Sequence, residues 1–365
     1  MHEEPSGVWI MAYTTIDDPS AHFQATIYTG NGSDGYSITN SGNSDLQPDL
    51  LWFKNRNSTQ IHQVFDTTRG IASSLRTNDT DAQDTDSPND RLTAINSDGF
   101  TLGDDGNPNT NTNTYVCWQW KANGGTTSSN TSGDITSTVQ ANTTAGFSIV
   151  KYTGSGTDND SVGHGLGIAP EMIILKKYDD TDSWMVFHHK LTAGSELKLD
   201  TSDAQADDAS NATWGDNHPG NISSTVFEIG YAGDANASGS TYIAYCFKSI
   251  QGYSKFGSYA GNSDADGAFI YTGFKPAWVL ARNISAGQSW WLFDNARTPY
   301  NGGDVRLRPD RDTAEYSGSK IDFVSNGFKW RDGDNAYNYS GNTFIYMAFA
   351  HQPFVTSGGV PCTAE

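Results

Sequence analysis

Two Asp-x-x-Arg pairs lead the residues whose types and spacing suit chemistry. Asp66-Thr-Thr-Arg69 and Asp294-Asn-Ala-Arg297 each set a carboxylate three positions before a guanidinium, just past an aromatic-rich stretch. Such a pair can present a polar site at a strand end, or close on itself as an ion pair that shapes the following turn. The second outcome is expected, because the matching stretch elsewhere reads His188-His189-Lys190, so no catalytic duty is shared. His164 lies in Gly163-His-Gly165 with no Cys, second His or carboxylate at metal-ligand spacing, and reads as a turn residue. His188 and His189 point to opposite faces of a strand and cannot chelate one ion together. The acidic runs Asp79–Asp81, Asp179–Asp182 and Asp332–Asp334 offer oxygen ligands, yet none has the twelve-residue loop closed by a bidentate Glu. Solvated loops are expected there, with a structural Ca²⁺ in one of them as the alternative, and no cofactor otherwise.

Hydrolase signatures are missing from the sequence: there is no Gly-x-Ser-x-Gly elbow, His-Glu-x-x-His helix or P-loop. With 42 acidic residues, carboxylate pairs carry no information about glycoside cleavage. The sequence therefore points away from an enzyme. Aromatic side chains are the remaining binding material. Trp184, Trp290, Trp291, Trp330 and Tyr337 stand at strand ends or near loops, where rings can stack on the apolar faces of sugars, and core packing is the competing use.

The elements that must position these residues recur three times. Tyr28-Thr-Gly, Tyr152-Thr-Gly and Tyr259-Ala-Gly each close a short β-like run. A proline then opens an apolar stretch ended by a cation: Pro48 to Lys54, Pro170 to Lys176, Pro276 to Arg282. An aromatic-rich strand ends at Phe65, Phe187 and Phe293, each 11 positions past its cation. Last comes a Phe strand paired with a Thr strand, Phe100 with Thr114, Phe227 with Thr241 and Phe328 with Thr343, at gaps of 14, 14 and 15. Each proline is expected at the first position of its strand, since it cannot donate to a ladder. In the closing strands, Val116, Trp118 and Trp120 match Ile243, Tyr245 and Phe247, and Ile345, Met347 and Phe349, so one bulky face is core each time. The Gly/Asn-rich stretches before them, 103–113, 230–240 and 332–342, are connecting loops. Between the third and fourth landmarks, the polar stretches 77–90 and 200–219 vary most and are candidate binding loops.

The fold expected is all-β, with three tandem homologous β-sandwich domains of jelly-roll or lectin-like kind. Their bounds are an N-terminal extension over 1–16, repeats over 17–123, 145–250 and 251–355, a Gly/Ser/Thr/Asn-rich linker over 124–144, and a tail over 356–365. The short junction Ile250–Tyr253 implies tight packing of the last two repeats. Composition agrees: 36% apolar, 18% charged and 12% aromatic residues with 38 Gly favour short strands and polar turns over helices. A formal charge of −20 repels nucleic acid and anionic membranes. Cys117, Cys246 and Cys362 form no metal motif or disulfide framework. The N-terminus lacks the apolar region of a secretory signal, Met11 is a possible natural start, and no run has membrane-spanning length. A soluble protein made in a cytoplasm is expected.

The run Gly146-Phe-Ser-Ile-Val-Lys-Tyr-Thr-Gly154, followed by Val162-Gly-His-Gly-Leu-Gly-Ile-Ala-Pro170, resembles a domain of repeat-containing, tail fibre-like virion proteins from tailed bacteriophages of marine bacteria such as cyanobacteria and their relatives. Gly252–Tyr259, Phe274–Val279, Tyr346–Ala350, Pro353-Phe354, Met11–Pro19 and Thr126–Asn130 resemble other parts of the same family, so the likeness covers nearly the whole chain. The resemblance implies a lectin-like β-sandwich and a place on a phage particle, with no catalytic residues to carry over. The function expected is that of a virion structural protein, a tail fibre or receptor-binding protein presenting loops to host surface glycans. A head fibre or capsid-decorating protein is the alternative, and a polysaccharide-degrading tail enzyme a remote one. Expected partners are other virion proteins and a host cell-surface glycan. A homotrimer suits a fibre, while three tandem domains can instead imitate a threefold within one chain.

Overall fold

Strands of two to eleven residues are the main regular element among the described residues, and the fold is all-β. A computed structural model of the protein describes residues 12–85, 90–216, 221–301 and 305–362. In the first third of the chain, β1 (Phe23–Thr29), β2 (Leu50–Asn55), β3 (Gln63–Asp66) and β4 (Thr114–Trp120) form an antiparallel sheet in the order β1-β4-β2-β3. In the second third, β5 (Ser137–Asn142) precedes β6 (Phe147–Thr153), β7 (Met172–Lys177), β8 (Trp184–His188) and β9 (Thr241–Phe247). These give β6-β9-β7-β8, with β5 added outside β6. The last third repeats the order as β10 (Ser254–Ala260), β13 (Thr343–Pro353), β11 (Phe274–Asn283) and β12 (Trp291–Asp294).

Registers match as well as order. Tyr28 stacks on Tyr115, Tyr152 on Tyr242 and Tyr259 on Phe344, with centroids 5.2, 5.1 and 5.0 Å apart. The expected role of the prolines holds in part. Pro48 and Pro170 lie just before β2 and β7, but Pro276 is inside β11, where register shifts on either side of it mark a bulge. A bulge frees a position from the ladder, and that is where a proline is tolerated within a strand.

The largest core is common to all three sheets. One face of each contributes to it: Trp52, Trp118 and Trp120 from the first, Ile174, Trp184 and Phe247 from the second, Trp278, Leu292 and Phe349 from the last. The final rings of the closing strands meet at the centre, with Trp120–Phe247, Trp120–Phe349 and Phe247–Phe349 centroids at 6.5, 5.6 and 6.1 Å. The opposite face of each sheet packs on its own smaller core, closed by short strands such as Gly99–Leu102, Val226–Ile229 and Gly327–Trp330.

Three expected boundaries differ. The stretch 124–144, expected as a linker, carries Ser128–Asn130 and β5. It is poor in apolar residues because few of its positions face a core, Ile135, Val139 and Ala141 among them, while Gln140 on the other face is buried against Thr67 and Thr68. Residues 12–16 of the expected extension are part of the fold: Ile16 is buried in the shared core and Thr14 Oγ1 donates to Gln251 O. The expected tail is folded over 356–362, with Val355 bridged to Pro361 and Ser357 bonded to Asp17. Met11 lies outside the described residues. At the short junction Ile250–Tyr253, Tyr253 is buried on Phe349, and Phe247 before the junction meets Phe256 after it with ring centroids 5.9 Å apart.

Since one core serves all three sheets, Trp120→Ala is expected to cost about 3–5 kcal/mol and to lower a single unfolding transition of the whole chain. Differential scanning calorimetry checks this; a variant that melts in two steps, with only one displaced, contradicts a shared core.

Candidate functional site

The strand-ending cations do not reach solvent. Lys54, Lys176 and Arg282 are each 1% exposed or less. A buried charge needs acceptors, and each side chain finds some of them in a loop of another third. Lys54 Nζ donates to Asn55 O, Gln60 O and, in the last third, Asp312 O, at 2.9, 2.8 and 3.0 Å. Three acceptors match the three hydrogens of an ammonium. Lys176 Nζ donates to Asp182 O at 2.7 Å and to Thr80 O of the first third at 3.0 Å. Arg282 donates to Thr201 O and Asp203 O of the second third. Burial pushes Lys54 down to about 7 and Lys176 to about 8, and takes Arg282 down to about 10.

A second set crosses the same junctions in the same sense. His62, Trp184 and Trp290 share one register, three positions before the strand-ending Phe. His62 Nε2 donates to Arg308 O (3.0 Å), Trp184 Nε1 to Arg76 O (2.7 Å) and Trp290 Nε1 to Lys198 O (2.9 Å). A third set follows the middle residue of the closing strand. Trp118 Nε1 donates to Asp294 Oδ2 at 2.9 Å, and Tyr245 OH to Asp66 Oδ2 at 2.8 Å. At the remaining junction Met347 has no hydrogen to give, and His188 instead donates from Nε2 to the adjoining carbonyl of Tyr346 at 3.3 Å. In the first two sets the first third holds the last, the second holds the first, and the last holds the second. The ring is closed.

The two Asp-x-x-Arg pairs are the expected turn-shaping ion pairs. Arg69 Nε lies 2.5 Å from Asp66 and Arg297 Nε 2.6 Å from Asp294, all four side chains being buried. The aspartates also accept from the Arg69 and Arg297 backbone N–H, so both are turn caps and junction acceptors at once.

The sugar-stacking candidates are corrected by burial. Trp184, Trp290, Trp330 and Tyr337 are 1% exposed or less, and no ligand can reach their faces. Trp291 is half-buried with Arg306 and Arg308 over its ring at 5.1 and 5.6 Å, so its π face is taken. Trp184 and Trp290 were drawn inward because their indole N–H groups find carbonyls across a junction, which no local pattern reveals. The structure brings Trp291, Trp330 and Tyr337 together in the core of the last third, and leaves Trp184 and Trp290 at separate junctions. The polar stretches 77–90 and 200–219, read as binding loops, supply the acceptors Thr80, Thr201 and Asp203 instead. Arg76 sits among Asp79, Asp81 and Asp84, so the first acidic run carries its own countercharge.

One set of residues escaped sequence reasoning. Asn109, Asn236 and Asn338 are fully buried, each five positions before the Thr that opens a closing strand. Their Oδ1 atoms accept from Asn31, Ser155 and Asn262 N–H. Their Nδ2 atoms donate to Gly103 and Ser33, to Gly230 and Thr157, and to Asp332 and Asp264 carbonyls. Each amide therefore clamps two loops, and its constant spacing was the available signal.

Among the described residues, one open feature is a groove of about 500 Å³ between the first and last thirds, lined by residues such as Ala25, Gly42, Asn295, Ala296 and Tyr300. Among the described residues, no group of three or more His, Cys, Asp or Glu side chains is placed to hold a metal ion. A family model described as a domain of unknown function (DUF7483) matches residues 18–353. The chain belongs to the DUF7483 family. The DUF7483 match runs through all three sheets, in keeping with their common core. Among curated proteins and among solved structures, the comparisons found no match.

Two outcomes test this reading of the DUF7483 chain. Asn236→Ala leaves Ser155 N–H and two carbonyls without their partner, and is expected to cost roughly 2–4 kcal/mol in denaturant unfolding. Burial holds His188 at about 3 against an ordinary 6.5. Between those values the unfolded chain binds the extra proton, so stability falls as pH drops from 6.5 toward 3, by about 1.4 kcal/mol per unit for this histidine. His188→Gln should flatten that slope, read as the difference in unfolding free energy between parent and variant across pH.

Proposed function

We propose that the chain is three tandem homologous β-sandwich domains assembled as a pseudo-trimer, and that it is a structural protein of a tailed-phage particle with no catalytic task. Its role is that of a tail fibre or receptor-binding protein, made in the host cytoplasm, that presents loops to host surface glycans. The observation that carries this reading is the ring of junctions. The strand-ending cations, and the Asp-x-x-Arg carboxylates and His188 that drew attention as possible chemistry, are engaged in joining sheets or fixing turns. The family resemblance of the sequence supports the particle.

With the buried rings withdrawn, glycan stacking falls to aromatics on the surface. Phe269 and Tyr271 share one face of an edge strand and are 49% and 53% exposed. Phe269→Ala with Tyr271→Ala is expected to lower adhesion to host cells while leaving the melting temperature unchanged.

A capsid-decorating or head-fibre role is the second reading, favoured by closure of the ring within one chain, which needs no further copy to complete a threefold. On this second reading light scattering gives a monomer of 39.5 kDa; a trimer favours the fibre. Immunogold labelling of virions decides between them, with gold on tails supporting the first reading and gold on heads the second. Unlabelled particles overturn both.

A further inference from the structure

The three junctions differ at a further place. Ala25, Ile149 and Phe256 share a register on the first strand of each sheet, opposite Trp118, Tyr245 and Met347. Thr67, His189 and Asn295 share the position that follows the third strand. At the first–second junction these two sites are bridged by a strand. Gln140 of β5 pairs with Ile149, and its amide donates to Thr67 and Thr68 Oγ1 at 2.9 and 2.7 Å. At the second–last junction a side chain does the same work, His189 Nε2 donating to Phe256 O at 3.1 Å. At the last–first junction nothing among the described residues bridges Ala25 and Asn295, and both line the 500 Å³ groove.

The edge of β1 facing this groove is ready to pair. Lys121 N–H donates to His22 O and Gly30 N–H to Asn113 O, so the even-numbered positions bond to β4. Phe23, Ala25 and Ile27 therefore turn their N–H and C=O groups outward. Among the described residues no strand pairs with that edge, and Ile27 is 45% exposed on it. An unpaired edge is a template for another strand. The chain itself shows what fits the equivalent place: β5, Ser137-Thr-Val-Gln-Ala-Asn142, extended and without charge. The groove matches that chemistry, since among the described residues no Asp, Glu, Lys or Arg lines it, although the chain carries a net charge of −20.

We propose that this groove receives an extended, uncharged peptide strand of a partner protein, added antiparallel to β1 as β5 is added to β6. The backbone groups of Phe23, Ala25 and Ile27 supply the ladder, and Asn295 the polar contact that Thr67 gives β5. This inference is independent of the particle reading.

The test uses a capped synthetic peptide with the sequence of residues 136–144, titrated into the full chain. Saturable binding is expected, with hydrogen-exchange protection gained at Ala25 and Ile27 amides. Ala25→Pro removes an outward N–H without touching the β1–β4 ladder, and Ala296→Trp fills the groove from the opposite wall. Each is expected to weaken binding at least roughly tenfold with the melting temperature kept. Absence of saturable binding, equal binding by both variants, or binding that appears only after deletion of residues 1–11 overturns the proposal. The last result assigns the groove to the chain's own N-terminal segment.

Discussion

Lys54, Lys176 and Arg282 are charges removed from water at the edge of a shared core, and their own strands give them too few acceptors. A cation so placed is tolerated only when fixed carbonyls surround it. Some of those carbonyls come from loops of another third of the chain, and this requirement ties the three sheets to one another. The loops must hold one conformation for their oxygens to converge, so the polar segments around Thr80, Thr201 and Asp203 are held in place by the cations they serve. Once they are held, the aromatic ends of β4, β9 and β13 close over the centre and the core becomes common property.

What recurs at the junctions is the availability of a hydrogen, not a residue type. Lysine and arginine serve one register, histidine and tryptophan the next, tryptophan and tyrosine the third. Where methionine breaks the third set, a histidine supplies the donor from the other side. Neutral imidazole can do this because one ring nitrogen donates while the other accepts, as in His188, which takes the Lys190 N–H on Nδ1. Substitution at these positions has therefore followed geometry more closely than chemistry.

Much of this was legible in the sequence. The registers of Phe65, Phe187 and Phe293, the bulky face of the closing strands and the turn-shaping role of Asp66 and Asp294 all came from spacing and period. Burial of Trp184 and Trp290 did not, since their acceptors lie about a hundred positions away. The strand within 124–144 was hidden by composition, because a strand packed on a polar turn needs few apolar residues. Asn109, Asn236 and Asn338 lay in stretches where Asn is common, so their constant offset from the next strand was masked by their neighbours. The groove was beyond reach, being made by residues from opposite ends of the chain.

The closed ring also has a meaning in time. Lys54 and Asp312 are 258 positions apart, and His62 and Arg308 are 246 apart. During synthesis the first third leaves the ribosome with its cation, its histidine and its aromatic face unmet, and waits for most of the chain before the last junction can form. Contacts this distant make folding slow and leave apolar surface open while it proceeds. The chain's large negative charge keeps such half-made molecules apart during that wait.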